Sequence, residues 1–574
     1  MKPRCRPRHA LRAAAGYALP MVLIFMGLTM MVLAGAMNWS SSIAWFTERN
    51  NSFFVTAASA EAATEMVVAR MSQDYQLNGE ACVYAALPSY RTNVPSSAQD
   101  AYWAPFVFTD TAGATNAMQV VRIAPTNFVP LSSQYYGLKG IASTYRIIAN
   151  VRNADGRSNV RSAVGQDIQL ASIPIYQFAL FYNIDMEVNP GPNMTVKGRV
   201  HGNANVYLDP GSTLTFAGDV TSAANIVLDK KPGDPLTRNG TVVFQGEHDS
   251  GVASMTLPIG TNNSPDAVHA LLEIPPDSEA STSLMGRLRF FNKADLVILV
   301  SNATVTARSG TFVDGGATSI GSEWTNFIST NVSFYNKREA KTIQCTQLDV
   351  GKLISWSATN SALRSALGNR DVAQIYIADM RSQSAGTQAG VRLVNGQTLP
   401  SLGLGVATPN PAYIKGHFNC PNSAHLGTTN TTATKGASLA ADAISIQSTA
   451  WSDANSALTL SSRSAANTTI NCAFLAGIVP TVTGVYSGGV ENFTRFLENW
   501  SGDTFTYNGS MLVMFDSRTA TAPWGGGDVD SPPVRMWGCD SNFLDAAKLP
   551  PGTPSIQATI RSRWSLVRPG ATSF

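Results

Sequence analysis

The sequence predicts a mainly β protein carried on one long N-terminal α-helix, and three observations lead there. An uncharged apolar run, Tyr17–Met37, follows a basic leader and continues into a helical pattern. From about residue 176, short apolar runs alternate with Gly, Asn, Asp and Pro at close intervals. Within that stretch one block repeats without gaps after twenty residues. The expected order is a basic leader (1–16), an N-terminal helix (17–72) that is transmembrane in 17–37, and a mixed α+β region (73–175). A β-solenoid-like, parallel β-helix-like region (176–475) and an aromatic-rich C-terminal cap (476–574) complete it. An antiparallel β-sandwich is the alternative for the head.

The leader sets the charge balance. The chain of 574 residues carries 41 basic and 38 acidic side chains, +3 in all. Lys2, Arg4, Arg6, Arg8 and Arg12 lie in residues 1–16 with no acid among them. Without those five the balance is 36 against 38, or −2. The positive sign is therefore a topology signal and no evidence for a nucleic-acid partner. Only 14% of residues are charged, against about 25% in an ordinary soluble protein. A coiled coil, a disordered polyelectrolyte and a disulfide-dense miniature fold are excluded on that ground.

The 21 residues of Tyr17–Met37 would span about 31 Å as a helix, enough for a bilayer core. Basic residues ahead of such a span keep the N-terminus cytoplasmic. Residues 38–72 contain neither Pro nor Gly, and Ile43, Phe46, Phe53, Phe54, Ala57, Ala58, Ala62, Met66 and Ala69 fall near one broad face. One helix of roughly 50 residues results, half in the membrane and half outside. An uncleaved anchor and an ordinary cleaved signal peptide are the alternatives; the latter has an apolar core of about 7–15 residues.

Gly16, Tyr17, the apolar span and the following ASAEAATEMVVARM segment resemble the type III signal and N-terminal helix of type IV pilins and pseudopilins, in particular PilX-like minor pilins. The resemblance implies cleavage after Gly16 by a prepilin peptidase, leaving Tyr17 as the new N-terminus. It also implies assembly through the helix, on which Met21, Phe25, Leu28, Phe53 and Phe54 are the residues to watch. Where major pilins carry Glu at the fifth mature position, this chain has Met21. An unpaired carboxylate within a bilayer is costly, so a subunit with no partner beneath it has no use for one. The implied partners are other pilins or pseudopilins, inner-membrane assembly proteins and the membrane, with a surface or glycan ligand at the head.

In 73–175, LPSYRTNVPSS reads as turns, while MQVVRIA, ASTYRIIANVRN and SNVRSAVGQDIQLASIP read as strands. The last two are joined by ADGR, an Asp-Gly hairpin signal. A helix followed by a meander is also the order of a pilin headgroup. Further on, GRVHGNANVYL (198–208) aligns with GDVTSAANIVL (218–228). Gly198/Gly218, Val200/Val220, Ala204/Ala224, Asn205/Asn225 and Leu208/Leu228 are identical. A period near twenty fits one turn of a parallel stack whose apolar faces only the next turn can cover. TVKGRVHGN (195–203) and YIKGHFNCPN (413–422) form a weaker echo. ADAISIQS and NTTINCAFLAGIV read as further strands. IPIYQFALFYN, NKADLVILV, ATPNPAYIKGHFN, GGVENFTRFLENWSG and KLPPGTP resemble segments of large pilus-assembly-associated proteins. That resemblance implies a surface-appendage role and supplies no catalytic residues.

No enzymatic function, cofactor or metal is expected. HExxH, CxxC and a Rossmann glycine motif are absent from the sequence. His417 and His425 beside Cys420 are the best metal candidates, yet they lack the tight paired spacing of structural zinc sites. Asp185 and Glu187, at i and i+2, would share one face of a strand, and Glu247-His248-Asp249 is a polar cluster. Asp528 and Asp530 in GGGDVDS lack the glutamate of a calcium loop. Besides Cys5, five cysteines remain, and Cys420–Cys472 is a pairing that adjacent turns of a stack would permit. In the C-terminal module, FTRFLENW reads as a short helix and TFTYNGSMLVMF as a strand pair.

Overall fold

Helix α1 runs Ala18–Ala85 in the computed structural model, which describes residues 16–154, 159–310, 317–525 and 527–573. The leader residues 1–15 lie outside the described residues. The helix continues past the expected 72 because the chain bends at Gly79 without ending there. Gly79 has φ +78° and ψ −180°, a conformation that glycine alone adopts at little cost. The segment read as turns also holds a short helix, Leu87–Arg91, with Pro88 in its first turn.

The buried side of α1 differs from the expected stripe. It consists of Thr56, Ser59, Ala60, Ala63, Thr64, Val67, Val68, Met71 and Tyr75, while Ala58 and Ala69 are exposed. Small residues at three- and four-residue spacing bring the helix close to its sheet. That sheet is antiparallel and holds β1 (Phe106–Thr109), β2 (Gln119–Pro130), β3 (Lys139–Asn153) and β4 (Arg161–Pro174). Arg152 opposes Arg161, so β3 and β4 form the predicted hairpin, with 155–158 outside the described residues. Val67, Val68 and Met71 pack on Tyr145, Ile147, Val164 and Ile168. On β4, Ala171 and Ile173 belong to a second core with the head, which explains its nearly unbroken burial.

The head begins with parallel ladders. β5 (Phe178–Tyr182), β6 (Met186–Val188) and β7 (Met194–Val196) make a first turn. β8 (Arg199–Gly202), β9 (Val206–Leu208) and β10 (Thr213–Phe216) make a second. β11 (Val220–Ser222), β12 (Ile226–Val227), β13 (Thr241–Phe244) and β14 (His248–Ser250) follow. Val200 pairs with Val220, and Val206 with Ile226, so the sequence repeat is the register of these ladders. Gly198 turns a corner at φ +98° and Gly416 another at φ +82°; the Lys-Gly corner is what the weaker echo shares. A Cβ on Gly218 would strike the Gly198 carbonyl. Asn225 Nδ2 donates to Asn205 Oδ1 at 3.3 Å, one step along the repeat. Leu228 departs from its repeat partner: Leu208 is buried and Leu228 is 66% exposed. β12 is the last strand of its ladder, so nothing covers the residue beyond it.

Residues 251–295 leave the ladders and carry three short helices before β15 (Leu296–Val300). β16 (Val305–Ser309) and β17 (Thr318–Ser319) add antiparallel to β15, and β18 (Ile328–Asn336) pairs antiparallel with β19 (Lys341–Asp349). Parallel pairing then resumes. β20 (Gln374–Asp379), β22 (Leu404–Ala407), β24 (Ala437–Ala441) and β26 (Thr468–Ile478) extend from β15 on one side. β21 (Thr387–Val394), β23 (Ala412–Lys415), β25 (Ile444–Gln447) and β27 (Thr494–Phe496) extend from β19 on the other. An antiparallel sandwich does not describe these ladders.

β28 (Thr504–Asp516) closes the arrangement. One edge pairs with β26, and the other pairs with β29 (Val534–Cys539) and then with β5. The first ladder thus grows away from β28 and the second grows toward it. One inward row runs unbroken through Leu296, Ile375, Val406, Leu439, Phe474, Met511, Leu180, Val200 and Val220. Strands β28 and β29 therefore lie at a seam between the ladders, in place of the expected end cap. β28 is buried on both faces, so it sits inside a sheet and not over its end. TFTYNGSMLVMF is one strand and not a pair. FTRFLENW contains strand β27 and not a helix, because a short apolar run has no periodicity that separates the two. Finally β30 (Ser555–Val567) pairs antiparallel with β4. The head is an insertion between two neighbouring strands of the helix-bearing sheet.

Candidate functional site

Two regions compete for a functional reading: the free part of α1, and the polar clusters of the head. Just ahead of α1, Gly16 has open space around it and Tyr17 is exposed. Met21, Phe25, Leu28, Phe53 and Phe54 are all exposed, as are Trp39, Trp45 and Phe46. The helix is long and apolar enough to cross a membrane near its N-terminus, and that stretch is not buried in the protein. From Ala18 to Asn51 it stands clear of the sheet, a projection of about 51 Å at 1.5 Å per residue. The membrane core takes roughly 30 Å of that, leaving a shorter aromatic-bearing length outside.

The anchored part is fixed by polar contacts that sequence reading missed. Thr56 Oγ1 and Ser162 Oγ share a hydrogen bond of 2.7 Å, and Ser162 Oγ donates to the Phe53 carbonyl at 3.2 Å. Gln166 Nε2 donates to Thr64 Oγ1 at 3.0 Å and Glu65 Oε1 at 2.8 Å. Arg561 on β30 donates to the same Glu65 at 2.8 Å. Just past the bend, Glu80 Oε1 accepts from Tyr145 at 2.6 Å, Ser143 at 2.8 Å and Arg122 at 3.1 Å. Those bonds hold its carboxyl below the usual range against the opposing effect of burial. Their partners lie 42 to 65 residues away for Glu80 and 101 and 496 away for Glu65; no local motif announces such pairs.

Several polar candidates of the head are engaged by neighbouring groups. Asp185 lies outside β6 and pairs with Lys231 at 3.1 Å, whereas Glu187 is buried within it. Glu187 accepts from Thr481 Oγ1 at 3.0 Å and Ser487 Oγ at 3.1 Å, tying β6 to the loop before β27. Burial raises its pKa. His417 Nδ1 accepts from the Thr469 amide at 3.1 Å, while His425 Nε2 faces Asn422 and Asn430 at 3.2 Å. The two histidines are thus engaged separately, and among the described residues no group of three metal-ligating side chains is present. Asp528 is met by Lys337 Nζ at 2.7 Å and the Leu460 amide at 2.6 Å. Asp530 is half-buried, and this partial burial pushes its carboxyl up to about 6. His248 stacks on Phe244 with ring centroids 4.2 Å apart.

All five described cysteines are free. Phe418 pairs with Ile470, so Cys420 and Cys472 do lie on neighbouring segments. They are not bonded: Cys420 Sγ donates to the Asn422 carbonyl, and Cys472 belongs to the apolar interior.

No family model and no curated protein matches the sequence. Among solved structures, the chain is similar to the crystal structure of the competence-associated pilin ComZ from Thermus thermophilus, at 10% identity. The match covers 90% of this chain and 97% of that one, with a TM-score of 0.28, too low for the likeness to carry an argument.

Proposed function

We propose that the chain is a non-enzymatic, membrane-inserted minor pilin or pseudopilin-like subunit. In this reading Tyr17–Met37 crosses the inner membrane with the N-terminus cytoplasmic, and the bulk is periplasmic, or extracellular after assembly. The single observation that carries it is an apolar helix projecting about 51 Å from an antiparallel sheet onto which its second half is locked. Such a helix has an exposed length for a membrane and a further exposed length for neighbouring helices. The parallel ladders are read as a β-solenoid head, inserted between β4 and β30. A head of this bulk would clash along a packed shaft, so the subunit is placed at a tip or at low copy. Its partners are other pilins, the inner-membrane assembly proteins and the prepilin peptidase.

Mass spectrometry of protein from peptidase-competent cells tests the processing step. A mature N-terminus at Tyr17 is expected, and retention of Met1 would overturn cleavage at Gly16. The competing reading is a membrane-anchored surface adhesin without pilus assembly, favoured by Met21 at the position where assembling pilins carry Glu. Gly16→Ala separates the two: it abolishes surface display of a pilin-like subunit and leaves an uncleaved adhesin displayed.

A further inference from the structure

The outward face of the first ladder forms the floor of a groove of about 730 Å³. Along it, parallel register places Arg199, Asp219 and Glu247 one position before the paired Val200, Val220 and His248. Asp249 follows two residues after Glu247, on the same face and about 7 Å away. One wall comes from the turn between β2 and β3, where Tyr136 is 79% exposed and borders the groove. That turn is fixed to the floor. Arg199 Nη2 donates to the Tyr136 carbonyl at 2.8 Å and pairs with Asp219 at 2.6 Å. Gly137 has φ +86°, and a Cβ there would collide with the Arg199 guanidinium. The turn that carries Tyr136 is thus held against the ladder, with the aromatic side chain exposed at the border of the groove that Glu247 and Asp249 also line.

The charge of the groove selects its occupant. Asp219 is neutralised by Arg199. Glu247 and Asp249 have no basic partner among the described residues, leaving two free negative charges at the floor. His201, in register with Asp249 through Thr221, stays neutral, since burial lowers its pKa to about 4. An anionic chain is repelled. A ligand suited to this site has hydroxyl and ammonium donors for the carboxylates and an apolar ring face for Tyr136. Its size fits a cleft in the usual range for bound small ligands, about 300–1,000 Å³.

We propose that this groove binds an amine-bearing oligosaccharide, with Tyr136 as the stacking platform and Glu247 and Asp249 as the polar contacts. The proposal is independent of whether the helix polymerises. It is tested on the full chain in detergent by titration calorimetry with a glucosamine tetramer, its fully N-acetylated counterpart, a galacturonate tetramer and tetralysine. Saturable binding of the glucosamine tetramer is expected, at least ten-fold tighter than that of the N-acetylated form, with no binding of galacturonate. Tyr136→Ala and the double variant Glu247→Gln/Asp249→Asn are each expected to weaken it ten-fold or more, while Tyr136→Phe retains it. Unchanged circular dichroism shows that these surface variants fold. Absence of saturable binding, binding unaffected by the variants, or tetralysine competing with equal affinity would each overturn the proposal; the last would reduce the groove to a charge trap.

Discussion

The two parallel ladders of the head obey the same pairing rule with different amounts of chain. In the first, Leu180 faces Val200 and Val200 faces Val220, two steps of 20 residues, before a last step of 28 from Val220 to His248. In the second, Ile375 faces Val406, then Leu439, Phe474 and Met511, offsets of 31, 33, 35 and 37 residues. The inward row is continuous across both. What keeps register is therefore the stacking of one apolar row, and the length of chain between its members is free to grow. The longer turns carry buried charged and polar groups bonded to the loops that run past them. Arg495 pairs with Glu339 at 2.7 Å, both buried, and Asp442 accepts the amides of Arg518, Thr519 and Ala520. A loop that runs through an interior must have its backbone groups satisfied there.

The largest effect is expected where the row is most crowded. Phe474 is fully buried and stacks on Tyr507 at 5.0 Å between ring centroids. Phe474→Ala should cost about 4 kcal/mol in denaturant unfolding. Val220→Ala, with fewer atoms lost in the short-turn ladder, should cost about 1.5 kcal/mol. Equal losses at both sites would show that the two ladders do not share one row as an energetic unit.

The next test addresses the place where the ladders meet. Glu491, just before β27, is buried and its Oε2 accepts from the Asn189 amide beside β6 at 3.4 Å, while Oε1 has no partner. Burial pushes its carboxyl up to about 7. Below about pH 4.5 the carboxyl is protonated in both folded and unfolded chains, and it carries no charge penalty. As pH rises toward 7 the unfolded chain loses its proton first, so the folded state loses stability through that window. Above it the penalty is on the order of 3 kcal/mol. Glu491→Gln removes that slope, so its stability relative to the parent should be higher at pH 8 than at pH 4. A difference that stays constant with pH would place the titration elsewhere.

How much of this was legible depends on the range of the contacts. The apolar helix, the β3–β4 hairpin and the twenty-residue ladder are local patterns, and they appear where the sequence places them. The second ladder was not legible as a repeat, since offsets that grow by two at each step leave no period to find. The seam was invisible for a different reason. β28 meets β5 more than 300 residues earlier in the chain, and β30 returns to β4 nearly 400 residues after it. Sequence gives no sign of either pairing, so residues 476–574 looked like an end. Of the helix positions, the exposed apolar residues of α1 lie where the apolar run of the sequence puts them. Glu80, Gln166 and Ser162 were not readable, because their role comes from where the sheet holds them.

Gly218→Ala sharpens the comparison at a corner. The short turns bring Gly218 so close to the Gly198 carbonyl that a Cβ must displace backbone. A cost of about 2 kcal/mol is expected, measured by thermal or denaturant unfolding. Gly416 turns a corner of the longer ladder with room around it, and a Cβ there would meet only a Thr449 methyl at 4.0 Å. Its φ of +82° alone resists substitution, so Gly416→Ala should cost about 1 kcal/mol.

The smallest effect separates sequence identity from structural equivalence. Leu208 and Leu228 occupy the same place in the repeat, and a reading of the repeat alone assigns them one role. Leu208 is 2% exposed and belongs to the apolar interior, paired through Val188 of the preceding turn. Leu228 lies past the last strand of its ladder, 66% exposed. Leu208→Ala should therefore cost about 3 kcal/mol, while Leu228→Ala should stay within about 0.5 kcal/mol of the parent. If Leu228→Ala were as costly as Leu208→Ala, a further layer must cover the open end of the first ladder in solution. Repeating both measurements over a tenfold range of protein concentration then tells whether a second copy supplies that layer, because only an intermolecular cover makes the cost depend on concentration.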